Sequence, residues 1–418
     1  MILKNANILD LKTGTVQTGM DIAITGDTIT AIGVELHSDD KDYRDMSHRL
    51  VTPTFTNGHT HLGMAMMRGY GDDFALQTWL ETKIWPFEAK LTSEDIYWAS
   101  KLSLLENLYS GVGTIVDMYD SVGYVVQAGR ELGMKGLYGK GVMDLSGDGD
   151  KKLQRFVKDY TTYGNANQRV ILAPHSVYTC SESFLKDCLE LGTTYGGVLH
   201  THVLETEKEK EDFETAHGMS VVDYFGELGY LDVPLVAAHC VHMTERDINT
   251  VKGCPFIPVH NPVSNLKLGS GVAPVGRWLG EGIDFLFGTD SVASNNNQNL
   301  IKELQVGTLV AKNAWGPETI GSLDMLRRAF DFGDVLGFNH GGVDVGKKAD
   351  LICFDLESLH FTPANSLLSA LTYSADIGDI TDVLIDGEYK VKDRESCFDD
   401  EQVRYEVSTR TRRILNEV

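Results

Sequence analysis

His59-Thr60-His61 places two imidazoles two residues apart. Side chains at i and i+2 of an extended segment share a face, so both rings can reach one ion. Zinc and iron both accept imidazole nitrogen readily. An HxH pair alone is a weak signal, equally met by two surface histidines. The apolar VTPTF before it and Gly58 beside it place this pair at the mouth of a buried strand. His200-Thr201-His202 repeats the pattern. His202 lies nearer its strand end, whereas His200 reads as a core imidazole bonded to backbone. Asp290, in FGTDS, ends another apolar run. A buried, unpaired carboxylate is costly, so it needs a cation, several donors, or a helix to cap. His59, His61, His202 and Asp290 together make a three-histidine, one-carboxylate set with room for water, and an open position marks a catalytic site. Water activation at a metal needs a base and an acid. Glu205 and His239 are the candidates. Glu205 also reads as a solvated member of ETEKEKED, and His239 as a satisfied core histidine.

These residues need elements that bring them together. After Leu50, apolar β-branched runs alternate with helical patterns, with strands near residues 54, 115, 140, 171, 200, 237, 257 and 286. The first strand is read as Val51 to Asn57 and the last as Ile283 to Gly288. The helix over 92–110 carries Thr92 as N-cap, Asp95 in the capping-box position and Gly111 just past its end. Strict alternation implies parallel pairing through helical crossovers. Eight such units match a (β/α)8 TIM barrel, whose chemistry sits at the C-terminal ends of the strands. A doubly wound open sheet is the competitor, but no Gly-rich phosphate turn follows the first strand. His59 and His61, Asp117, Lys140, His175, His202, His239, His260 and Asp290 all fall at or near predicted strand ends. The two chain ends read differently. Residues 1–52 and 342–398 are short strands and turns, with hairpins at Thr25-Gly26-Asp27 and Asp386-Gly387. The expectation is a barrel over 53–341, a composite β-sandwich domain from both ends, and a C-terminal helix over 399–418.

Composition excludes several function classes. The 418 residues carry 37 basic and 60 acidic side chains, a formal charge of −23. Nucleic-acid binders need basic surface to displace counterions, so no nucleic-acid partner is expected. Anionic membrane surfaces are disfavoured for the same reason. No apolar run is long enough to span a bilayer, and the N-terminal stretch lacks the apolar core of a signal peptide. Six scattered cysteines without a CxxC pair fit a reducing cytoplasm. A small-molecule substrate is the partner this leaves, and a homo-oligomer stays open.

The segments NGHTHLGMAMMRGYGDD, APHSVYTC, HVLETEKE, AAHCVHMTE, HNPVSNLKLGSGVAPV and FGTDSVASNN resemble the amidohydrolase superfamily. They are most similar to its 5′-methylthioadenosine/S-adenosylhomocysteine deaminase branch, near the triazine chlorohydrolases and guanine deaminases. The resemblance covers nearly the whole chain. It implies one divalent ion, zinc or iron, held by His59, His61, His202 and Asp290. It implies that Glu205 shuttles a proton to a ring nitrogen, that His239 polarises the attacking water, and that Asp290 accepts the water proton. Glu88 resembles the family's ribose-hydroxyl acceptor, His175 its purine-contacting histidine and Trp79 a pocket aromatic. Read without the family, Glu88 is a helix-start residue and Trp79 is core packing. Where the branch has arginines for the homocysteine carboxylate, this chain has Lys140 and Lys151 or Lys152. Lysine keeps the charge and loses the bidentate fork, which affects S-adenosylhomocysteine more than a neutral nucleoside. The implied activity is hydrolytic deamination of an aminopurine nucleoside. The alternatives are deamination of guanine or a pterin, dechlorination of a triazine, or a non-catalytic metal-binding scaffold.

Overall fold

The computed structural model describes residues 1–37, 42–74, 76–145 and 147–417. Both chain ends build one sheet. From the N-terminus come β1 (Ile2–Asp10), β2 (Thr15–Thr25), β3 (Thr28–Gly33), β4 (Tyr43–Asp45) and β5 (Arg49–Pro53). The barrel follows, with β6 (Phe55–Thr60), β7 (Val112–Tyr119), β8 (Lys135–Val142), β9 (Gln168–Pro174), β10 (Leu199–Val203), β11 (Leu235–His239), β12 (Phe256–His260) and β13 (Leu286–Phe287). β14 (Leu351–Asp355), β15 (Ile380–Ile385), β16 (Glu388–Lys392) and β17 (Glu395–Ser396) complete the first sheet.

β6 to β13 close into a parallel barrel in sequence order, with β13 returning to β6. All eight strands fall at the sites read from the sequence. Two differ in extent. The first predicted strand is in fact two: β5 belongs to the outer sheet, Pro53 ends it, and Phe55 opens the barrel by bonding Gly111 O at 2.9 Å. β13 is only two residues long because the chain leaves strand geometry at Gly288. A Cβ there would lie 2.3 Å from Asn261 Oδ1 and 2.9 Å from the His59 backbone nitrogen. The departure lets Asp290, at φ +60°, donate its N–H to His59 O at 2.9 Å.

The small β domain, expected as a sandwich, is one continuous nine-stranded sheet. β5 joins the two chain ends edge to edge, pairing parallel with β1 and antiparallel with β14. Leu3, Ile8, Ile22, Val51, Leu351 and Leu384 form its own core. The Asp386-Gly387 hairpin has both turn residues at positive φ, 52° and 75°, as a tight antiparallel turn requires. Barrel and sheet are tied by Lys135 on β8. Its buried ammonium sits 2.8 Å from Asp350 and also pairs with Asp386.

The predicted helix after residue 92 spans Ser93–Tyr109, with the Thr92–Asp95 capping box formed in both directions. The C-terminal helix, Asp400–Leu415, docks on its start through Arg410 and Arg413 bound to the buried Asp95. Leu76–Glu88 folds as a helical wall that the sequence reading passed over, with a wider π turn over Leu80–Ile84. Such turns recur at functional sites. The apolar spacing Leu76, Trp79, Leu80, Ile84, Phe87 was a usable helical signal, obscured by Pro86.

Candidate active site and metal centre

His59 and His61 emerge from β6, His202 from β10, and Asp290 just beyond β13. Their hydrogen bonds fix the ring tautomers. His200 donates Nδ1–H to Val236 O at 2.8 Å, so its Nε2 accepts, and His59 Nδ1–H donates to it at 2.8 Å. His61 Nδ1–H donates to Met118 O at 2.6 Å, and His202 Nδ1–H to His175 O at 2.8 Å. All three Nε2 atoms therefore carry lone pairs. His61 Nε2 and His202 Nε2 face each other at 3.3 Å, and Asp290 Oδ1 lies 3.5 Å from His59 Nε2 and 3.4 Å from His61 Nε2. His59 Nε2 is buried with no hydrogen-bond partner. Lone pairs converging on one buried point, without a donor among them, repel unless a cation sits between them. The four donors fit a divalent metal ion, and the nitrogen-rich set suits a transition metal rather than magnesium or calcium.

The surroundings keep this donor set charged and aimed. Ser264 and Ser294 donate their hydroxyls to Asp290 Oδ2 at 2.6 and 3.1 Å, leaving Oδ1 toward the imidazoles. Burial opposes the charge of Asp290, but the His59 contact and the neighbouring imidazoles override it and hold the carboxyl below the usual range. Burial lowers the pKa of His59 and His202 well below the ordinary histidine value, keeping them neutral as ligands must be. His200, read from sequence as a core imidazole, is fully buried and orients His59.

Glu205 and His239 stand beside this centre. Glu205 Oε2 is 3.7 Å from His239 Nε2, and Ser270 Oγ lies 3.5 Å from Glu205 Oε1. His239 Nδ1–H donates to Asn265 Oδ1 at 2.8 Å, which directs Nε2 into the site. Burial raises the Glu205 pKa above the usual carboxyl value, with His239 opposing. Burial pushes His239 down, but Glu205 and Asp290 more than reverse this, leaving it above the ordinary value. The pair is poised to hold and pass a proton.

A cavity of about 490 Å³ opens over these groups. His61, His202, Glu205, His239 and Asp290 line its floor, and Trp79, Leu80, Ile84, Glu88, Met143 and His175 its walls. Glu88 Oε1 accepts from the Tyr119 hydroxyl at 2.8 Å, and burial raises its carboxyl to about 7. His175 Nδ1 is engaged by Ser176 and Thr179 hydroxyls at 3.1 and 3.0 Å; burial lowers its pKa to about 4, so the ring is neutral.

Lys140 and Lys152 do not line the cavity. Lys140 is fully buried and spent on the Asp120 carboxylate and carbonyl. Lys152 Nζ binds Asp148 Oδ1 at 2.9 Å and Met143 O at 3.1 Å. The basic side chain that does line the cavity, among the described residues and apart from histidine, is Arg155, three residues after Lys152. Lys152 and Arg155 lie about one turn apart on the helix Gly149–Tyr163. Two further residues were missed. Tyr119 ends β7, and a Cβ on Gly63 would meet its ring at 2.3 Å, so it packs directly on the segment after His61. Asp117, noted only as a strand end, accepts the Leu62 N–H at 2.7 Å.

A closed parallel barrel carries His59, His61, His202, His239 and Asp290 at its C-terminal strand ends, in groups that could hold a metal ion. A model of the amidohydrolase family matches residues 50–390, and the chain belongs to that family. It is 39% identical over 99% of both chains to a 5-methylthioadenosine/S-adenosylhomocysteine deaminase of Thermoanaerobacter pseudethanolicus. Among solved structures, an adenosine deaminase of Xanthomonas campestris with bound zinc superposes with a TM-score of 0.95, at 26% identity, over 99% of this chain and 98% of that one. A zinc complex of atrazine chlorohydrolase from Arthrobacter aurescens shares the fold, with a TM-score of 0.91 at 21% identity over 98% and 99%. Among the described residues, no helix is long and apolar enough to cross a membrane.

Proposed function

We propose that this protein is a zinc-dependent hydrolytic deaminase of aminopurine nucleosides of the 5′-methylthioadenosine type. The observation that carries the reading is the convergence of three lone-pair-bearing Nε2 atoms and Asp290 Oδ1, with Glu205 and His239 paired at 3.7 Å on the same cavity floor. His59, His61, His202 and Asp290 would hold the divalent ion, which would supply Lewis-acid activation of water at neutral pH. The chain's own groups do the rest. Glu205, kept protonated more readily than a solvated glutamate, donates a proton to the ring nitrogen next to the amino-bearing carbon. His239 Nε2 orients the attacking water, its tautomer held by Asn265. Asp290 Oδ1 takes up one proton from the water and passes it to the departing amine, which leaves as ammonia, while the second water proton returns to Glu205 as the carbonyl forms. His175, as a neutral imidazole, contacts the purine edge, and Trp79 packs against the ligand. Glu88 accepts from ribose hydroxyls while Tyr119 holds it.

Arg155 extends this reading to S-adenosylhomocysteine. Its guanidinium supplies the fork that Lys140 and Lys152, engaged elsewhere, do not offer the homocysteine carboxylate. The relatives named as deaminases of both nucleosides support the same pair of substrates. The test is a substrate panel followed by ammonia release and the ultraviolet change of the ring. Turnover of 5′-methylthioadenosine and S-adenosylhomocysteine is expected, with Arg155→Ala weakening only the second. Turnover of guanine, a pterin or a chlorotriazine instead would replace the substrate assignment. Bound metal without turnover of any ring would favour a scaffold.

A further inference from the structure

Three helices begin with a threonine N-cap and an acidic residue at the third helical position. In two of them the acid closes on its own cap: Asp95 accepts the Thr92 N–H at 2.8 Å, and Asp247 the Thr244 N–H at 2.8 Å. The helix Glu207–His217 breaks this rule. Thr206 Oγ1 accepts the Glu209 N–H at 3.1 Å, as a cap should. The Glu209 side chain, however, reaches past the cap. Its Oε1 accepts the Leu204 N–H at 3.0 Å and its Oε2 the Glu205 N–H at 2.8 Å. Leu204 has φ +49°, a left-handed conformation that a leucine adopts only when its surroundings impose it. The turn between His202 and the helix is therefore held in a strained form by one carboxylate gripping two consecutive N–H groups.

The location is costly for that carboxylate. Glu209 is 8% exposed, its carboxyl lies close enough to Glu205 for the two charges to repel, and burial pushes it up to about 7. An ordinary capping box would satisfy the helix start without this expense. What the longer reach adds is control over the backbone that carries Glu205, whose carboxylate must stay 3.7 Å from His239 Nε2.

We infer that Glu209 is a positioning residue that fixes the proton-carrying Glu205 through a two-point backbone clamp. The inference rests on the role proposed for Glu205. A glutamine at 209 has one acceptor and one donor, so its amide NH2 would face a backbone N–H and the clamp would open. The test is a double-mutant cycle on the metal-loaded enzyme with 5′-methylthioadenosine: Glu209→Gln, Glu205→Gln and the pair, with bound metal and thermal midpoint recorded for each. Displacing a reacting group by about 1 Å can lower turnover roughly 100-fold, so kcat of Glu209→Gln should fall about 10- to 100-fold with KM changed less than about 2-fold. In the Glu205→Gln background the same change should cost nothing further, because its effect runs through the missing carboxylate. Glu209→Asp, which keeps both acceptors on a shorter arm, should fall between and covers the case in which the glutamine variant does not fold. Full activity in Glu209→Gln, or an equal loss in both backgrounds, overturns the clamp. Wild-type turnover in Glu205→Gln overturns the proton role proposed for Glu205 and the clamp with it, whereas no turnover by the metal-loaded wild type overturns the deaminase reading itself.

Discussion

Replacing Glu88 should change both stability and nucleoside affinity. Its carboxyl sits on the cavity wall with a pKa of about 7, raised by burial against the opposing Tyr119 hydroxyl. The ordinary value is 4.5. A folded-state pKa above the unfolded one means that the charged form is disfavoured by folding. The penalty is absent below the unfolded pKa, grows as pH rises between the two values, and is complete above about 7. At 1.36 kcal/mol per pKa unit the difference corresponds to about 3 kcal/mol. The side chain keeps some solvent contact, and screening reduces this to about 2 kcal/mol. Glu88→Gln keeps the shape and the Tyr119 hydrogen bond but cannot ionise. It should stabilise the protein by about 2 kcal/mol at pH 8 and by close to nothing at pH 4, as read from urea midpoints at both pH values. The same variant should weaken nucleoside binding at pH 8, because a carboxylate accepting from a hydroxyl is lost, a change of roughly 10-fold in KM. In the wild type, KM should rise as pH drops below about 7, since the acceptor form is then protonated. Equal stabilisation at both pH values would refute the buried-charge reasoning. An unchanged KM would remove Glu88 from the ribose site.

Other residues carry their own tests. Tyr119→Phe removes the donor that keeps Glu88 ionisable, so the pH midpoint of nucleoside KM should move upward; an unmoved midpoint would show that the 2.8 Å contact has no effect on the carboxyl. Ser264→Ala strips the 2.6 Å hydrogen bond from Asp290 Oδ2, and metal affinity, followed by competition with a chelator, should drop about 10- to 100-fold. Lys135→Met leaves the Asp350 carboxylate buried without its cation; urea unfolding should show a loss of about 3–5 kcal/mol, and a loss below about 1 kcal/mol would mean the triad does not hold barrel and sheet together. Arg155 is exposed, so its alanine variant should cost S-adenosylhomocysteine about 1 kcal/mol, near 5-fold in kcat/KM, and leave 5′-methylthioadenosine unaffected.

Much of the architecture was legible because it is written in local patterns. Alternating β and α runs place eight strands, and a parallel barrel follows from the crossovers they require. The Thr92–Asp95 box and the Asp386-Gly387 turn are local as well, and both form as their chemistry dictates. What resisted reading depends on contacts distant in sequence. The early end of β13 follows from the approach of Gly288 to Asn261 and His59, more than 200 residues away in the second case. The edge-to-edge union of the two chain ends depends on β5 finding partners at both extremes of the chain. In the candidate site, types and spacing pointed to His59, His61, His202 and Asp290, but only the tautomer chain through His200 and Val236 gives a reason for an ion there. The family resemblance offers Lys140 and Lys152 as ligand cations, but their partners are not visible in sequence; Asp120 and Asp148 take them, and Arg155 lines the cavity.

The central claim is that one divalent ion on His59, His61, His202 and Asp290 works with Glu205 to remove an amino group from a purine nucleoside. The direct measurement is ammonia released from 5′-methylthioadenosine by the wild type and by Glu205→Gln, with bound metal determined on the same samples. About one metal per chain is expected in both, with rapid ammonia release by the wild type and loss of most of it in the variant. Equal ammonia release by both at equal metal content, or none from the metal-loaded wild type, would contradict it.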